Sequence, residues 1–384
     1  MDSFGDAPAA ASRFQNARKQ LQDGIGRVCS AAVLLVAQQR RIVFEQAVGW
    51  TARPGLGVER ARVHPETVFD VASLTKPLAT AAVAMRLLSR GLLDLDAPLG
   101  SVLPEALETD KAGFRLWQLF AHCAGLPAWR PFAADLVREN GLRIAGTRRA
   151  REAVLRMILA EPIEAPPGSR AVYSDLGYIL LGFALERVAH ARLDRVFDRE
   201  VARPLGLRRT FFVRIRNGRP EPPALPRSEF AATERCPTRS RVLQAEVHDD
   251  NAFVLGGVAG HAGLFATARE VHAILHAMTA PDPGLFDRGV VREFMSLKRC
   301  APGSQRTPGF DTPTPGASSA GSRHPEDLVG HLGFTGTSFW MMRDGSAIVV
   351  LLTNRVHPTR ANEAIRDWRP AVHDAVWEAL RAAG

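Results

Sequence analysis

The chain reads as an α/β protein, in which an antiparallel sheet built from both ends of the chain is flanked by N- and C-terminal helices and interrupted by a mainly helical inserted domain. Three observations predict this. Strand-type apolar runs lie near both termini, amphipathic helical patterns stand outside them, and the long centre is helical in period with Pro and Gly breaks. No internal repeat is present.

Taken in order, residues 12–28 place Phe14, Ala17, Leu21, Ile25 and Val28 at helical spacing. Residues 31–37 and 42–44 are strands of a hairpin joined through Gln38, Gln39, Arg40 and Arg41. Residues 67–71 form a short extended segment leading to Ser73. Beyond it Ala82, Ala84, Met85, Leu87 and Leu88 are helical in pattern. Pro77 is tolerated only in a first turn, so this helix is predicted to begin near Ser73. Pro166, Pro167 and Gly168 break the helical centre just before Tyr173. Residues 301–326, rich in Gly, Pro, Ser and Thr, are predicted to be one long loop. Residues 330–340 and 347–352 read as an antiparallel strand pair around Arg343, Asp344 and Gly345. Residues 360–382 close the chain as a helix with Ile365, Trp368, Val372, Val376 and Leu380 on one face. The expected division is a sheet domain of residues 1–77 and 261–384, a helical insertion of residues 78–260, and an active site in the cleft between them.

Composition narrows the function. At 384 residues, with 46% hydrophobic and 23% charged residues, the chain has the make-up of a soluble globular protein. A net charge of +9 invites a nucleic-acid partner. The arginines are scattered, however, and no aromatic-rich strand or zinc-ligand spacing accompanies them, so no nucleic-acid partner is expected. Cys29, Cys123, Cys236 and Cys300 form no Cys-x-x-Cys pair, which suits reduced thiols. Cys123 has no identifiable partner base and is not expected to be a nucleophile. Met1 to Asp6 show no basic region followed by an apolar run, and no window reaches the ~18–20 apolar residues of a membrane span. A cytoplasmic location without membrane association is the expectation.

Chemistry enters through scarcity. Of 49 Lys and Arg residues only Lys19, Lys76, Lys111 and Lys298 are lysines. A lysine amine can lose its proton when desolvated, whereas guanidinium stays charged. Lys76 stands three residues after Ser73, the spacing that brings an amine beside a hydroxyl on one helix face. This is the layout of a serine nucleophile with a lysine base, set at a helix N-terminus whose dipole favours a developing alkoxide. Tyrosine is rarer still, with two against 19 phenylalanines, and both lie in Tyr173-Ser174-Asp175-Leu176-Gly177-Tyr178. A phenol carries a titratable proton that phenylalanine lacks.

Ser73-x-x-Lys76, then Tyr173-Ser174-Asp175, then His331-Leu332-Gly333 together resemble the serine β-lactamase and penicillin-binding-protein superfamily, nearest to its class C-like subgroup of esterases and D-amino-acid peptidases. The resemblance runs from about Ser30 to the end and includes residues 119–127, 204–207, 257–265 and 333–338. It implies a β-lactamase/transpeptidase-like fold and no cofactor. It also implies that Ser73 is the acylated nucleophile, that Lys76 and Tyr173 take and return its proton, and that the backbone N–H groups of Ser73 and Phe334 form the oxyanion hole. Gly333 is expected to keep the approach of the acyl group clear.

Two departures from the superfamily pattern shift the expected chemistry. Asp175 replaces the usual Asn, and an ionised Asp175 beside Lys76 would raise the lysine pKa and move the base role towards Tyr173. His331 and Leu332 replace Lys and Thr, exchanging a fixed cation and a hydroxyl for a titratable imidazole and an apolar side chain. A carboxylic ester or small amide is therefore expected as substrate, ahead of a β-lactam or D,D-peptide, with a nearly inert binding scaffold as the contrasting class. His272 and His276 are read as a solvated helix face. His248, Asp249, Asp250 and His261 are read as shaping the cleft wall, with no metal site.

Overall fold

The structure is a computed structural model, described here for residues 12–280 and 284–382. The N-terminal residues read for a targeting signal lie outside the described residues. The main sheet consists of β1 (Ala31–Gln38), β2 (Arg41–Gly49), β3 (Arg306–Thr307), β4 (Phe310–Asp311), β5 (Leu328–Leu332), β6 (Ser338–Met342) and β7 (Ala347–Thr353). Its order is β3-β4-β5-β6-β7-β1-β2, and every neighbouring pair is antiparallel.

The central strand explains the layering. Every residue of β1 from Ala31 to Ala37 is buried. Successive side chains point to opposite faces, so Val33 and Leu35 join one core while Leu34 and Val36 join another. A strand apolar on both sides requires cover on both sides. The principal helices supply it: α1 (Gln15–Asp23), α2 (Ala82–Ser89), α3 (Asp175–Ala189), α4 (Ala268–Thr279) and α5 (Ile365–Arg381). On one face α1 and α5 pack with Phe14, Leu21, Trp368, Val372 and Val376 in the core. The Trp368 indole donates to the Gln20 carbonyl at 2.8 Å and covers Gly24 so closely that a Cβ there would lie 2.5 Å from the ring. On the other face lie α4 and the helices that follow Ser73 and Tyr173. α3 is buried nearly all round, as befits a helix apolar on every side. It crosses Gly260 at Gly182, where a Cβ would come within 2.9 Å of the Gly260 nitrogen.

Several elements differ from the sequence reading. The first helix stops at Asp23, and Ile25 instead forms a bridge to Cys29. Residues 330–340 are not one strand. A turn at Gly333 to Thr337 splits them into β5 and β6, closed by Gly333 N–H to the Thr337 carbonyl at 2.8 Å and by Gly336 at φ +109°. The loop at 301–326 contributes β3 and β4 to the sheet edge. Of the extended segment 67–71 only Phe69–Asp70 is a strand, in a small sheet with Phe211–Phe212 and Leu264–Ala266. The helical centre also holds short ribbons at Ile215–Arg216 with Arg219–Pro220 and at Arg235–Cys236 with Arg241–Val242. Past Ser73 the helix opens as a 3₁₀ turn, Ala72–Leu74, and widens to π geometry over Lys76–Ala81 before α2. Pro77 lacks an N–H, which fits such an irregular first turn. His272 and His276 do not form a solvated face: His272 is buried, and the two rings stack 5.6 Å apart. Among the described residues, no helix is long and apolar enough to cross a membrane.

Buried histidines tie stability to pH. Burial pushes His373 down to about 3, helped by Arg369, and pushes His272 down to about 4. A depressed folded pKa means that the unfolded chain binds more protons below its own value near 6.5. Stability is then full above about pH 6.5 and falls as acid is added, by about 1.4 kcal/mol per pH unit for each such histidine. Urea midpoints should therefore drop between pH 6.5 and 5, above the range in which unfolded carboxylates titrate, and a His373→Leu variant should show a shallower drop. A flat profile in the wild type over that interval would contradict this.

Candidate active site

The nucleophile candidate sits on a strained turn. Ala72, immediately before Ser73, has φ +48°, a left-handed conformation that costs a non-glycine residue roughly 1–3 kcal/mol. Neighbouring bonds hold it there. Asp70 Oδ1 accepts the Ala72 N–H at 2.8 Å and Asp70 Oδ2 accepts the His248 N–H at 2.7 Å. Thr75 Oγ1 donates to the Ala72 carbonyl at 2.6 Å, while Thr335 and Thr337 donate to the carbonyls of Asp70 and Val71 at 2.7 and 3.0 Å. The turn bonds that follow use the N–H groups of Leu74 and Thr75, and that of Ser73 donates to no acceptor among the described residues.

Lys76 lies fully buried beneath the cleft. Its Nζ donates to Ser73 Oγ at 3.0 Å, to Asp175 Oδ1 at 2.7 Å and to the His261 carbonyl at 3.1 Å. Burial alone would lower its pKa. Asp175, and then Tyr173, outweigh that effect and hold the amine above the ordinary lysine value. Asp175 occupies the first turn of α3, where Ser174 is the N-cap and accepts the Gly177 N–H at 3.3 Å.

Tyr173 lies just before that cap, with Lys76 Nζ 4.8 Å from its ring centroid. Its ring is flanked by His122 at 4.4 Å and by the Arg306 guanidinium at 4.7 Å. Burial raises the phenol pKa above its usual value, opposed by the charge of Lys76 and by hydrogen bonding to Lys76 and Ser73. His122 fixes the neighbouring backbone, since its Nδ1 accepts the Ser174 N–H at 3.0 Å. Tyr178 has a different place: it is buried in the core and donates to the Phe120 carbonyl at 3.1 Å.

The third motif carries no charge at neutral pH. His331, expected to titrate there, is pushed down to about 4, chiefly by burial, with Asp311 opposing and Lys76 adding to the fall. Its Nδ1–H donates to the Leu332 carbonyl at 2.9 Å, which leaves Nε2 as an acceptor. A Cβ at Gly333 would meet Thr337 Oγ1 at 2.0 Å and the Val71 carbonyl at 2.5 Å, so glycine lets the end of β5 close against the Ser73 turn. Phe334 lies in the turn beyond the end of β5, half exposed, and its N–H donates to no acceptor among the described residues.

One cleft of about 690 Å³ is lined by Ser73, Tyr173, Asp175, His331, Gly333 and Phe334, with Lys76 under its floor. The structure thus brings together Ser73, Lys76, Tyr173, Asp175, His331, Gly333 and Phe334, whereas Tyr178, Cys123, His272 and His276 lie elsewhere. The wall predicted from 247–251 and His261 is organised as pairs: His261 Nε2 with Asp249 at 2.9 Å, and His248 Nε2 with Glu234 at 3.0 Å. Among the described residues, no three His, Cys, Asp or Glu side chains converge as metal ligands would. Sequence reasoning missed Asp70 as the brace of the turn and Arg306, Arg355 and Arg369 in the cleft wall. An acidic residue three positions before Ser73, in an otherwise apolar stretch, was the one signal for Asp70; the arginines had none. Chemically, the arrangement offers a hydroxyl, an ammonium and a phenol side by side, in a cleft also lined by Phe334, with the N–H groups of Ser73 and Phe334 unengaged among the described residues.

Comparison with known proteins shows the family and the fold. Residues 15–372 match the family described as Beta-lactamase. A putative D-alanyl-D-alanine carboxypeptidase of Salmonella paratyphi A is 29% identical over 360 residues, covering 86% of this chain and 80% of the relative. The N-acetylmuramyl-L-alanine amidase of Bacillus subtilis is 28% identical over 381 residues, covering 91% and 83%. Among solved structures, EstCE1, a hydrolase with promiscuous acyltransferase activity, superposes with a TM-score of 0.74 at 21% identity, covering 96% of this chain and 99% of that one. The chain belongs to the β-lactamase family of serine hydrolases.

Proposed function

We propose that this protein hydrolyses a carboxylic ester or small amide through an acyl-enzyme on Ser73. The observation that carries the reading is the contact of Ser73 Oγ with Lys76 Nζ at 3.0 Å beside the Tyr173 ring, in a cleft where the N–H groups of Ser73 and Phe334 have no acceptor among the described residues. Tyr173 acts in its ionised form, the phenolate charge balanced by the Lys76 ammonium, and its oxygen takes the proton of Ser73 Oγ as that oxygen attacks the substrate carbonyl. The carbonyl oxygen, now negative, rests on the two backbone donors. Tyr173 then returns the proton to the departing alkoxide or amine, and water reverses the sequence to release the acid.

Asp175 decides the division of labour. It holds Lys76 as a cation, so the lysine stabilises charge while the phenol moves the proton. The two groups titrate as a coupled pair. A neutral His331 supplies no cation where the superfamily pattern has one, which favours an ester or amide that does not depend on that grip. The carboxypeptidase and amidase names of the relatives support the amide arm of the reading.

A fluorophosphonate probe should give a single adduct, on Ser73, by mass spectrometry of the digested protein, and Ser73→Ala should take none. Full labelling of that variant, or an unlabelled wild type, would sink the reading and favour a binding scaffold. The raised phenol pKa also sets the pH dependence. The base form is the minor one at neutrality, so kcat/KM for a nitrophenyl ester, corrected for the uncatalysed rate, should climb steadily from pH 6 to pH 9. A plateau reached by pH 7 would instead identify a base that is already deprotonated there.

A further inference from the structure

The third-motif imidazole is buried, yet it lends one nitrogen to the cleft. His331 is 2% exposed and lines the cavity that holds Ser73. Its Nδ1 stands 2.9 Å from the Leu332 carbonyl. A carbonyl can only accept, so the ring proton belongs to Nδ1 and Nε2 carries a bare lone pair. Among the described residues Nε2 meets no donor. The ring lies 6.0 Å from that of Tyr173, centroid to centroid. The surroundings keep it in this form. Burial holds the imidazole neutral at pH 7 against the pull of Asp311, and Lys76 and Arg306 add to the effect. His248 and His261 each pair with a carboxylate, Glu234 and Asp249, whereas Asp311 is taken up by Arg306.

Filling space does not account for this arrangement. A phenylalanine would fill much the same room without burying a polar nitrogen, and a buried acceptor left unpaired is costly. Once a substrate seals the cleft against water, only a donor of its own can satisfy Nε2. A carboxylate or ether oxygen cannot, because lone pair would face lone pair. Position decides which half of the substrate carries the donor. Tyr173 returns its proton to the departing alkoxide or amine, and His331 stands beside Tyr173.

We infer that His331 Nε2 accepts a hydrogen bond from a neutral hydroxyl or amide N–H on the departing half of the substrate, and so selects esters and amides whose leaving group bears such a donor. The inference rests on the serine-hydrolase reading for what departs, though not for the acceptor itself. Where the superfamily pattern has a lysine that donates, this chain has a nitrogen that accepts. The exchange reverses the polarity of the position as well as removing its charge.

Hydroxyethyl and methoxyethyl butyrate differ only by that donor. With acid release followed in a pH-stat, the wild type should prefer the hydroxyethyl ester by about tenfold or more in kcat/KM. His331→Phe should bring the ratio near one, and His331→Lys, which puts a donor where the acceptor was, should bring it to one or below. A wild-type ratio near one, or a His331→Phe variant that slows both esters and keeps the ratio, would overturn the inference. Binding is read without turnover in Ser73→Ala by imidazole ¹⁵N NMR, the His331 signals being those lost in Ser73→Ala/His331→Phe. They should show the proton on Nδ1, and hydroxyethyl butyrate should shift Nε2 while methoxyethyl butyrate leaves it in place. A proton on Nε2, or an Nε2 signal indifferent to the hydroxyl, would overturn the inference as well. A donor-dependent shift beside a wild type that turns over neither ester would support the acceptor site and overturn the hydrolase reading instead.

Discussion

A buried ammonium organises this molecule. Lys76 is fully sealed from solvent, and a charge in that position is tolerated only if each of its protons has a partner. The three partners come from three stretches of chain: Ser73 on the turn before α2, Asp175 on the first turn of α3, and the carbonyl of His261. Removing one member of a buried ion pair typically costs about 3–5 kcal/mol, so the pair fixes where α3 meets the Ser73 turn. Packing enforces the same meeting. Thr80 donates to the Gly260 carbonyl at 2.6 Å, and Gly182 lets α3 approach Gly260 at backbone contact. The left-handed Ala72, pinned by Asp70 and Thr75, then aims the hydroxyl at the cleft.

The second constraint is the join between the Ser73 turn and the end of β5. Gly333, Thr335 and Thr337 press against the backbone of Asp70 and Val71, bringing Ser73 and Phe334 to the lining of one cleft. Arg355 then grips the Phe334 carbonyl from behind. Charge is distributed unusually around this centre. The third-motif position is neutral, the floor is cationic through Lys76, and further cations stand in the wall towards α5. A site of this kind favours negative charge as it develops on the carbonyl oxygen.

Much of this was legible in the sequence, for reasons that can be named. β1 and β7 announce themselves because a strand buried on both faces must be apolar throughout. Lys76 and Tyr173 stood out because the chain otherwise avoids both residue types, so their retention carried information. The same bias hid Arg355 and Arg369: where arginine is the default cation, its presence signals nothing. β3 and β4 are two residues each, too short to leave a period. The split between β5 and β6 was missed because residues 330–340 read as one extended run, although Gly336, at φ +109°, is the residue that permits the turn. His272 and His276 were read as a solvated face because no third metal ligand accompanies them, yet His272 stacks on His276 and stays neutral, so burial cost little. Asp175 was legible as a departure from a pattern, and its consequence for Lys76 followed from charge alone.

The central claim is that Asp175 keeps Lys76 protonated, leaving the phenol to move the proton. With only four lysines, a protein labelled at lysine ¹³Cε gives four resonances, and Lys76→Arg identifies the one that matters. Followed by NMR against pH, the Lys76 signal should keep its ammonium shift beyond the ordinary lysine pKa of about 10.4, and Asp175→Asn should move its titration to lower pH. A Lys76 signal already in its neutral form at pH 7 would contradict the account and return the base role to the lysine.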